Sequence, residues 1–313
     1  MEVLDLKRLD RIVEDFIRKH KFDVDMLPMI VDCSKQVYME ELPNNVDNKW
    51  SRTIDINESI NIVYNFLKTI DLNMANQFYN ILSSKDDNNS PYVNILPKKD
   101  YPNGHAEVRN GKVYIFFDNT PNDVFIILHE MLHKMNECNI LNEKDENMDT
   151  ITRDYYGETV SILGELMLGR YMVEKGLIIE NDFDIRKTNR LNGSKKNARD
   201  VIIESELINL KLKGKEINYE NLITLLSCFD NGSMEYKILL DEKNDLRRIN
   251  SVLKNGSLSI DVTKRYVIAQ VLSNRILNRD SYIDDFVKLF YAVGDANSNI
   301  DDVFNEIVND KTI

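Results

Sequence analysis

The sequence predicts a mainly α-helical fold with one small β hairpin or sheet, and two observations support this. Apolar residues recur three and four positions apart along most of the 313 residues, which is the spacing of a helix face. Only two short runs, 105–109 and 112–117, have the pattern of strands. The pair Asn110 and Gly111 between them is typical of a tight hairpin turn.

The chain has three stretches of different pattern. Residues 1–84 and 119–313 are helical in pattern, and 85–118 contains a polar loop followed by the hairpin. No proline-, glycine- or serine-rich linker separates these stretches. We therefore expect a single domain over 1–313.

Individual helices are predicted where the apolar repeat is continuous. An amphipathic helix is expected near each end of the chain, and the internal helices are expected at 57–70, 72–83, 121–138, 150–175, 198–213, 218–229, 261–278 and 281–292. Polar stretches are expected to separate helices near 142–149, 189–197, 214–217, 230–233 and 254–257.

Composition and charge exclude several classes of function. The net charge of −12 argues against general nucleic-acid binding, which needs a basic surface. No run approaches the roughly 18 apolar residues of a membrane span, and the N-terminal segment lacks the apolar core of a signal peptide. The three cysteines have no CxxC spacing, which suits reduced thiols. We expect a cytoplasmic protein, with export without a cleavable signal as the open alternative.

The helix predicted over 121–138 begins with clear start signals. Thr120 and Asp123 are spaced as in a capping box, and Pro121 occupies the first helical position. The five residues 124–128 are all apolar, so we expect this helix to be buried over most of its surface.

The same helix carries the residues with the clearest chemistry. His129 and His133 are four residues apart, so both imidazoles project from one face and can bind one zinc ion. Glu130 lies beside the open coordination position, where it can accept a proton from zinc-bound water. The chain contains only four histidines, which makes this HExxH arrangement specific. The alternative is a buried helix whose two histidines bond to backbone carbonyls.

A hydrolytic zinc site normally has three protein ligands, and no histidine follows His133. We therefore expect a carboxylate as the third ligand. Glu158 is the favoured candidate because it lies in a second apolar helical segment, where a buried carboxylate needs a partner. Glu165 lies two turns further on the same face, where it can hold a ligand histidine by a hydrogen bond, and Ser161 lies between them. The other nearby acids are Glu137, Glu143, Asp145, Glu146, Asp149 and Asp154.

These residues resemble a known family. Asp123-Val-Phe-x-x-x-His129-Glu130-x-x-His133, followed by Glu158-x-x-Ser161-x-x-x-Glu165, is similar to the zinc core of the thimet oligopeptidase and oligopeptidase F family. The resemblance is good over about 104–170 and weaker over about 55–290. It implies a zincin-like fold of the gluzincin type.

The resemblance also implies roles for individual residues. His129, His133 and Glu158 would bind one zinc ion, and Glu130 would be the general base. The strand at Val113, Tyr114 and Ile115 would pair with an extended peptide by main-chain hydrogen bonds. Tyr266 would stabilise the oxyanion.

Three departures from the family pattern matter. Leu132 replaces the glycine of the family's HExGH motif, and Ile126 replaces a threonine. The family's oxyanion histidine is missing, and Arg265 or His105 is a possible substitute; His105 is also a candidate substrate-binding residue. Because losing one oxyanion donor typically costs about 10²–10³ in rate, low activity or altered specificity is expected.

We therefore expect a zinc metallopeptidase that hydrolyses oligopeptides or a segment of a protein. One alternative is a catalytically weak or inactive zinc-binding protein that binds an extended peptide on its β edge. Another is a zinc hydrolase that acts on a different substrate class. No nucleic-acid or membrane partner is expected, and the oligomeric state is left open.

Overall fold

The structure, a computed structural model, describes residues 5–20, 24–43, 45–86, 88–102, 106–141, 150–218, 220–222, 242–295 and 297–309. Over these residues the fold is mainly helical with a small three-stranded sheet, as the sequence predicts. No helix within these ranges is long and apolar enough to cross a membrane.

Eleven long helices and three strands are present in the described residues. The helices are α1 (Leu6–Lys19), α2 (Leu27–Met39), α3 (Ile56–Ile70), α4 (Leu72–Ser83), α5 (Pro121–Leu141), α6 (Thr150–Glu174), α7 (Glu180–Leu212), α8 (Glu242–Asn255), α9 (Ile260–Leu277), α10 (Tyr282–Gly294) and α11 (Ile300–Asn309). The strands are β1 (Val93–Pro97), β2 (Glu107–Arg109) and β3 (Lys112–Phe117).

The chain divides into two compact units. The first contains Met1–Glu41 and Arg190–Val271, and the second contains Leu42–Asn189 and Leu272–Ile313. The sequence predicts a single domain over 1–313, and this division neither confirms nor contradicts that prediction.

Helix α5 is the centre of the second unit. Helices α3, α6 and α10 pack against it, and strand β3 lies along another side. Phe125, Leu128 and Met131 of α5 are fully buried by these neighbours. The apolar run that precedes the histidines is therefore explained by burial on several sides.

The sheet has the order β1-β3-β2, with β1 parallel and β2 antiparallel to β3. Asn110 and Gly111 both have positive φ (52° and 71°), as a tight two-residue turn between hairpin strands requires. The predicted hairpin is thus confirmed. Strand β1 was not predicted; it ends in Pro97, and a proline is tolerated there because β1 is an edge strand.

In the first unit, a buried polar cluster joins three helices. The Glu204 carboxylate of α7 accepts hydrogen bonds from the Ser259 and Ile260 amides (2.8 and 2.7 Å) at the start of α9. Arg248 of α8 donates to the same carboxylate from its Nε at 2.8 Å. This cluster supplies the partners that the buried Glu204 needs.

The predicted break at 189–197 is wrong, because α7 runs without interruption from Glu180 to Leu212. Leu191, Ser194 and Ala198 are buried in this stretch. The polar composition and Gly193 lower the intrinsic helix propensity, but burial of one helix face overrides it. Among the other predicted breaks, 142–149 and 230–233 lie outside the described residues, as does most of the helix predicted at 218–229.

Candidate metal centre

Helix α5 begins at Pro121, as predicted, and Asp123 fixes its first turn. The Asp123 carboxylate accepts hydrogen bonds from the backbone amides of Asp118 and Thr120, both at 3.0 Å. This is the reciprocal half of a capping box, in which the acid at the third helical position bonds back to the residue before the helix. Burial raises the pKa of the Asp123 carboxyl, while the amide hydrogen bonds act in the opposite direction. The fixed start places His129 two turns into the helix.

The structure brings together the three residues predicted as zinc ligands. His129 Nε2 and His133 Nε2 lie 3.2 Å apart. One oxygen of the Glu158 carboxylate lies 3.5 Å from His129 Nε2, and the other lies 3.7 Å from His133 Nε2. Within the described part of the chain, these three residues are the group that could hold a metal ion.

The spacing of these atoms is compatible with one bound metal ion. Tetrahedral zinc with bonds near 2.05 Å keeps its ligand atoms about 3.4 Å apart. The two imidazole nitrogens, 3.2 Å apart, are close to that value. The distances of 3.5 and 3.7 Å run to different oxygens of Glu158, and one donor atom from each of the three residues lies within 4.8 Å of the others. Two imidazoles and one carboxylate also form the usual donor set of a catalytic zinc site, which leaves a fourth position open.

Glu165 determines which nitrogen of His129 faces this cluster. The Glu165 carboxylate lies 2.7 Å from His129 Nδ1. A carboxylate only accepts hydrogen bonds, so Nδ1 carries the proton and the lone pair of the neutral ring is on Nε2. Nε2 is the atom that faces His133 and Glu158. The predicted contact between Glu165 and His129 is therefore present in the structure.

Arg186 of α7 is a member of this cluster that the sequence did not indicate. Its Nε and Nη2 donate to one oxygen of Glu165 at 2.9 and 2.7 Å. Its Nη1 donates to the Asn122 side-chain oxygen at 3.0 Å, and the guanidinium lies over the Phe125 ring. In the sequence Arg186 is one of many charged residues in a polar helix, so no motif marks it.

Ser161 and Gly157 of α6 set the approach of this helix to α5. The Ser161 hydroxyl is fully buried and donates to the His129 carbonyl oxygen at 3.3 Å. A β-carbon placed on Gly157 would lie 3.7 Å from His133 Nδ1, so this glycine lies against the second imidazole. Ser161 thus contacts the backbone of His129, whereas Glu165 contacts its side chain.

Other predicted site residues have different positions. Glu130 follows His129 on α5 and is partly exposed, in contrast to the buried residues around it. Tyr266 belongs to the first unit, where its hydroxyl accepts a hydrogen bond from Arg265 at 2.9 Å; its role as an oxyanion donor stays a prediction. His105 lies outside the described residues.

The predicted pairing of a peptide with β3 needs correction. Val113 and Tyr114 lie in register with both β1 and β2, so the two edges of β3 are already paired at these positions. Ile115 is paired with β1. The side chains of Val113 and Ile115 are fully buried. The edge strands of this sheet, where a further strand could add, are β1 and β2.

Comparison of the chain with protein-family models, with curated proteins and with solved structures found no match. The resemblance to the thimet oligopeptidase family therefore rests on the motif residues alone and stays a prediction. The metal centre is supported by its own geometry, namely a His129, His133 and Glu158 group that could hold a metal ion.

Proposed function

We propose that this protein is a zinc-dependent peptidase with a zincin-like catalytic region, and that it hydrolyses peptide bonds in oligopeptides or in a segment of a protein. The observation that carries the proposal is the triangle of His129, His133 and Glu158 atoms, with Glu130 directly beside His129.

The donor set favours zinc over the other common divalent ions. Two imidazole nitrogens and one carboxylate suit a borderline-soft ion such as Zn²⁺, whereas Ca²⁺ and Mg²⁺ prefer sites built from oxygen atoms. The charge balance is also favourable. Glu158 is only 5% exposed, and a bound cation would compensate its negative charge.

In hydrolysis of a peptide bond by this site, the metal and the protein side chains would have different roles. When bound, zinc supplies Lewis acidity towards a water molecule and a carbonyl group. Glu130 would accept the proton of the attacking water and pass it to the leaving amine. Glu165 would keep the lone pair of His129 directed at the metal.

The edge strands of the sheet next to α5 support the proposal of an extended substrate. Because β3 is the middle strand, we propose that a peptide pairs with the outer edge of β2 (Glu107–Arg109), the hairpin strand. Main-chain hydrogen bonds of this kind recognise an extended backbone without demanding a particular sequence.

The test compares the wild-type protein with Glu130→Gln. Metal content is measured after purification, and cleavage of a quenched fluorescent peptide is followed with and without a chelator. We expect zinc at one ion per chain, cleavage that the chelator abolishes, and a Glu130→Gln variant that keeps zinc but loses at least about 10²-fold in rate. The matched control is Glu174→Gln, which changes an exposed glutamate at the end of α6 and should have no effect.

The remaining outcomes separate the alternatives. Zinc and peptide binding without cleavage by the wild type would replace the proposal with a zinc-binding protein that holds a peptide. Zinc with no action on peptides, but cleavage of an ester or another acyl substrate, would indicate a hydrolase of a different class. Absence of bound zinc after incubation with excess metal would contradict the proposal as a whole.

A further inference from the structure

We infer that Arg186 is a positioning residue for the metal centre and that it sets zinc affinity through Glu165 and His129. The inference rests on the metal site of the proposed function but not on peptide cleavage. It extends the centre beyond the three ligands and Glu165. The added groups are the Arg186 guanidinium on α7 and the Asn122 side-chain amide in the first turn of α5.

The contacts form a continuous chain from Asn122 to the Nδ1 side of the His129 ring. Arg186 Nη1 donates to the Asn122 oxygen at 3.0 Å, and Arg186 Nε and Nη2 donate to one oxygen of Glu165 at 2.9 and 2.7 Å. The other oxygen of Glu165 lies 2.7 Å from His129 Nδ1. One oxygen of the Glu165 carboxylate therefore contacts Arg186, and the other contacts His129.

Burial of the Glu165 carboxylate strengthens its interaction with Arg186. Glu165 is 3% exposed, so its charge is only weakly screened by water and depends on the guanidinium for compensation. A guanidinium has a planar set of donors that fixes the orientation of a carboxylate, whereas a lysine ammonium would act as a single point charge. The Phe125 ring beneath the guanidinium and the Asn122 oxygen beside it hold Arg186 itself in place.

Removal of Arg186 should therefore act on the metal and not only on the fold. A carboxylate without its guanidinium would be free to rotate, and the proton on His129 Nδ1 would lose its fixed acceptor. Substitutions in the outer contacts of metal ligands typically reduce metal affinity by about 10–100-fold. We expect a loss of this size for Arg186→Met and a smaller loss for Arg186→Lys, which retains one charge but not the planar donors.

The experiment measures zinc affinity by competition with a chromogenic chelator, together with the absorption spectrum of the Co²⁺-loaded protein. The variants are Arg186→Met, Arg186→Lys, Asn122→Ala and Glu165→Gln. The matched control is Arg279→Met, which removes a similarly buried arginine whose Nε donates to Asp285 of α10 at 2.8 Å. This control should lower stability to a comparable degree while leaving zinc affinity and the Co²⁺ spectrum unchanged.

The expected order of zinc affinity is wild type, then Arg186→Lys, then Arg186→Met, with Glu165→Gln at least as weak as Arg186→Met. If Arg186→Met fails to fold, the lysine and Asn122→Ala variants test the same chain, and both should bind zinc more weakly than wild type. Wild-type affinity in these variants, alongside a weakened Glu165→Gln, would overturn the inference. A wild type that binds zinc but cleaves no peptide would remove the proposed peptidase and leave this inference intact.

Discussion

Leu132 of the HExxH helix lies opposite Gly164 of α6, where the two helices approach closely. A β-carbon placed on Gly164 would lie 2.8 Å from Leu132 Cδ1 and 3.5 Å from both Leu128 Cδ2 and Phe286 Cε2. The small residue at this contact is therefore Gly164 on α6, and not a residue of α5. This arrangement accommodates a leucine where the HExGH pattern of the resembling family has glycine.

Substitution of this glycine should destabilise the second unit. We expect Gly164→Ala to lower the free energy of unfolding by about 1–3 kcal/mol, because the leucine must move away from the added methyl group. The double variant Gly164→Ala with Leu132→Ala should lose less stability than the sum of the losses in the two single variants, because the smaller residue at 132 leaves room for the methyl group at 164. Urea unfolding of the two single variants and the double variant checks this, and purely additive effects would contradict the packing argument.

Gly169, five residues further along α6, should be the more sensitive glycine. A β-carbon there would overlap the ring of Phe183, which is buried and stacked on Phe125. A stacked ring is less able to move than the end of a leucine side chain. The expected result is a larger loss of stability for Gly169→Ala than for Gly164→Ala in the same urea titration, and the reverse order would contradict it.

Metal removal should lower the melting temperature of the wild-type protein. A ligand that binds only the folded state at 100 times its Kd contributes about 2.7 kcal/mol to stability. Calorimetry with zinc and with a chelator should therefore give different midpoints for the wild type and a single midpoint for Glu158→Gln, which lacks one ligand. A zinc-dependent shift of the same size in Glu158→Gln would show that Glu158 is not a ligand.

The first unit allows a stability prediction that is independent of the metal. Arg248→Met leaves the buried Glu204 carboxylate without its cation, which typically costs about 3–5 kcal/mol. We expect lower stability in urea with unchanged zinc content. Arg18→Met, which removes an exposed pair with Asp15 on α1, is the control and should change stability by less than about 1 kcal/mol.

Asp123 predicts a pH dependence of stability with a definite sign. Burial raises its folded-state pKa above the ordinary value of 3.8. Between the ordinary and the raised value the folded state binds more protons than the unfolded state, so stability falls as the pH rises through this window. Relative to Asp123→Asn, the wild type should therefore lose unfolding free energy as the pH rises from about 4. The difference between the two proteins should then level off. A shift in favour of the wild type would show that the amide hydrogen bonds outweigh burial.

The sequence was sufficient for features that depend on local rules. The start of α5 follows from Pro121 and Asp123, and the hairpin turn follows from Asn110 and Gly111, because capping and turn geometry involve residues close in the chain. Helical periodicity also places His129 and His133 on one face. Each of these predictions requires only neighbours within about four positions.

Features that depend on distant neighbours were missed. Strand β1 pairs with β3 across about twenty residues, and that pairing turned the predicted edge strand into the middle strand. Helix α7 continues through 189–197 because residues on one of its faces are buried, which composition does not reveal.

The sequence by itself determined the helical character of the chain, the spacing of His129, Glu130 and His133, and the choice of Glu158 as the third ligand candidate. Only the tertiary structure decided that the carboxylate lies within 3.7 Å of both imidazoles and that Arg186 stands behind Glu165. The physical reason is that spacing along one helix is fixed by the backbone, whereas contacts between helices depend on how residues far apart in the chain pack, as the Leu132 side chain does against Gly164.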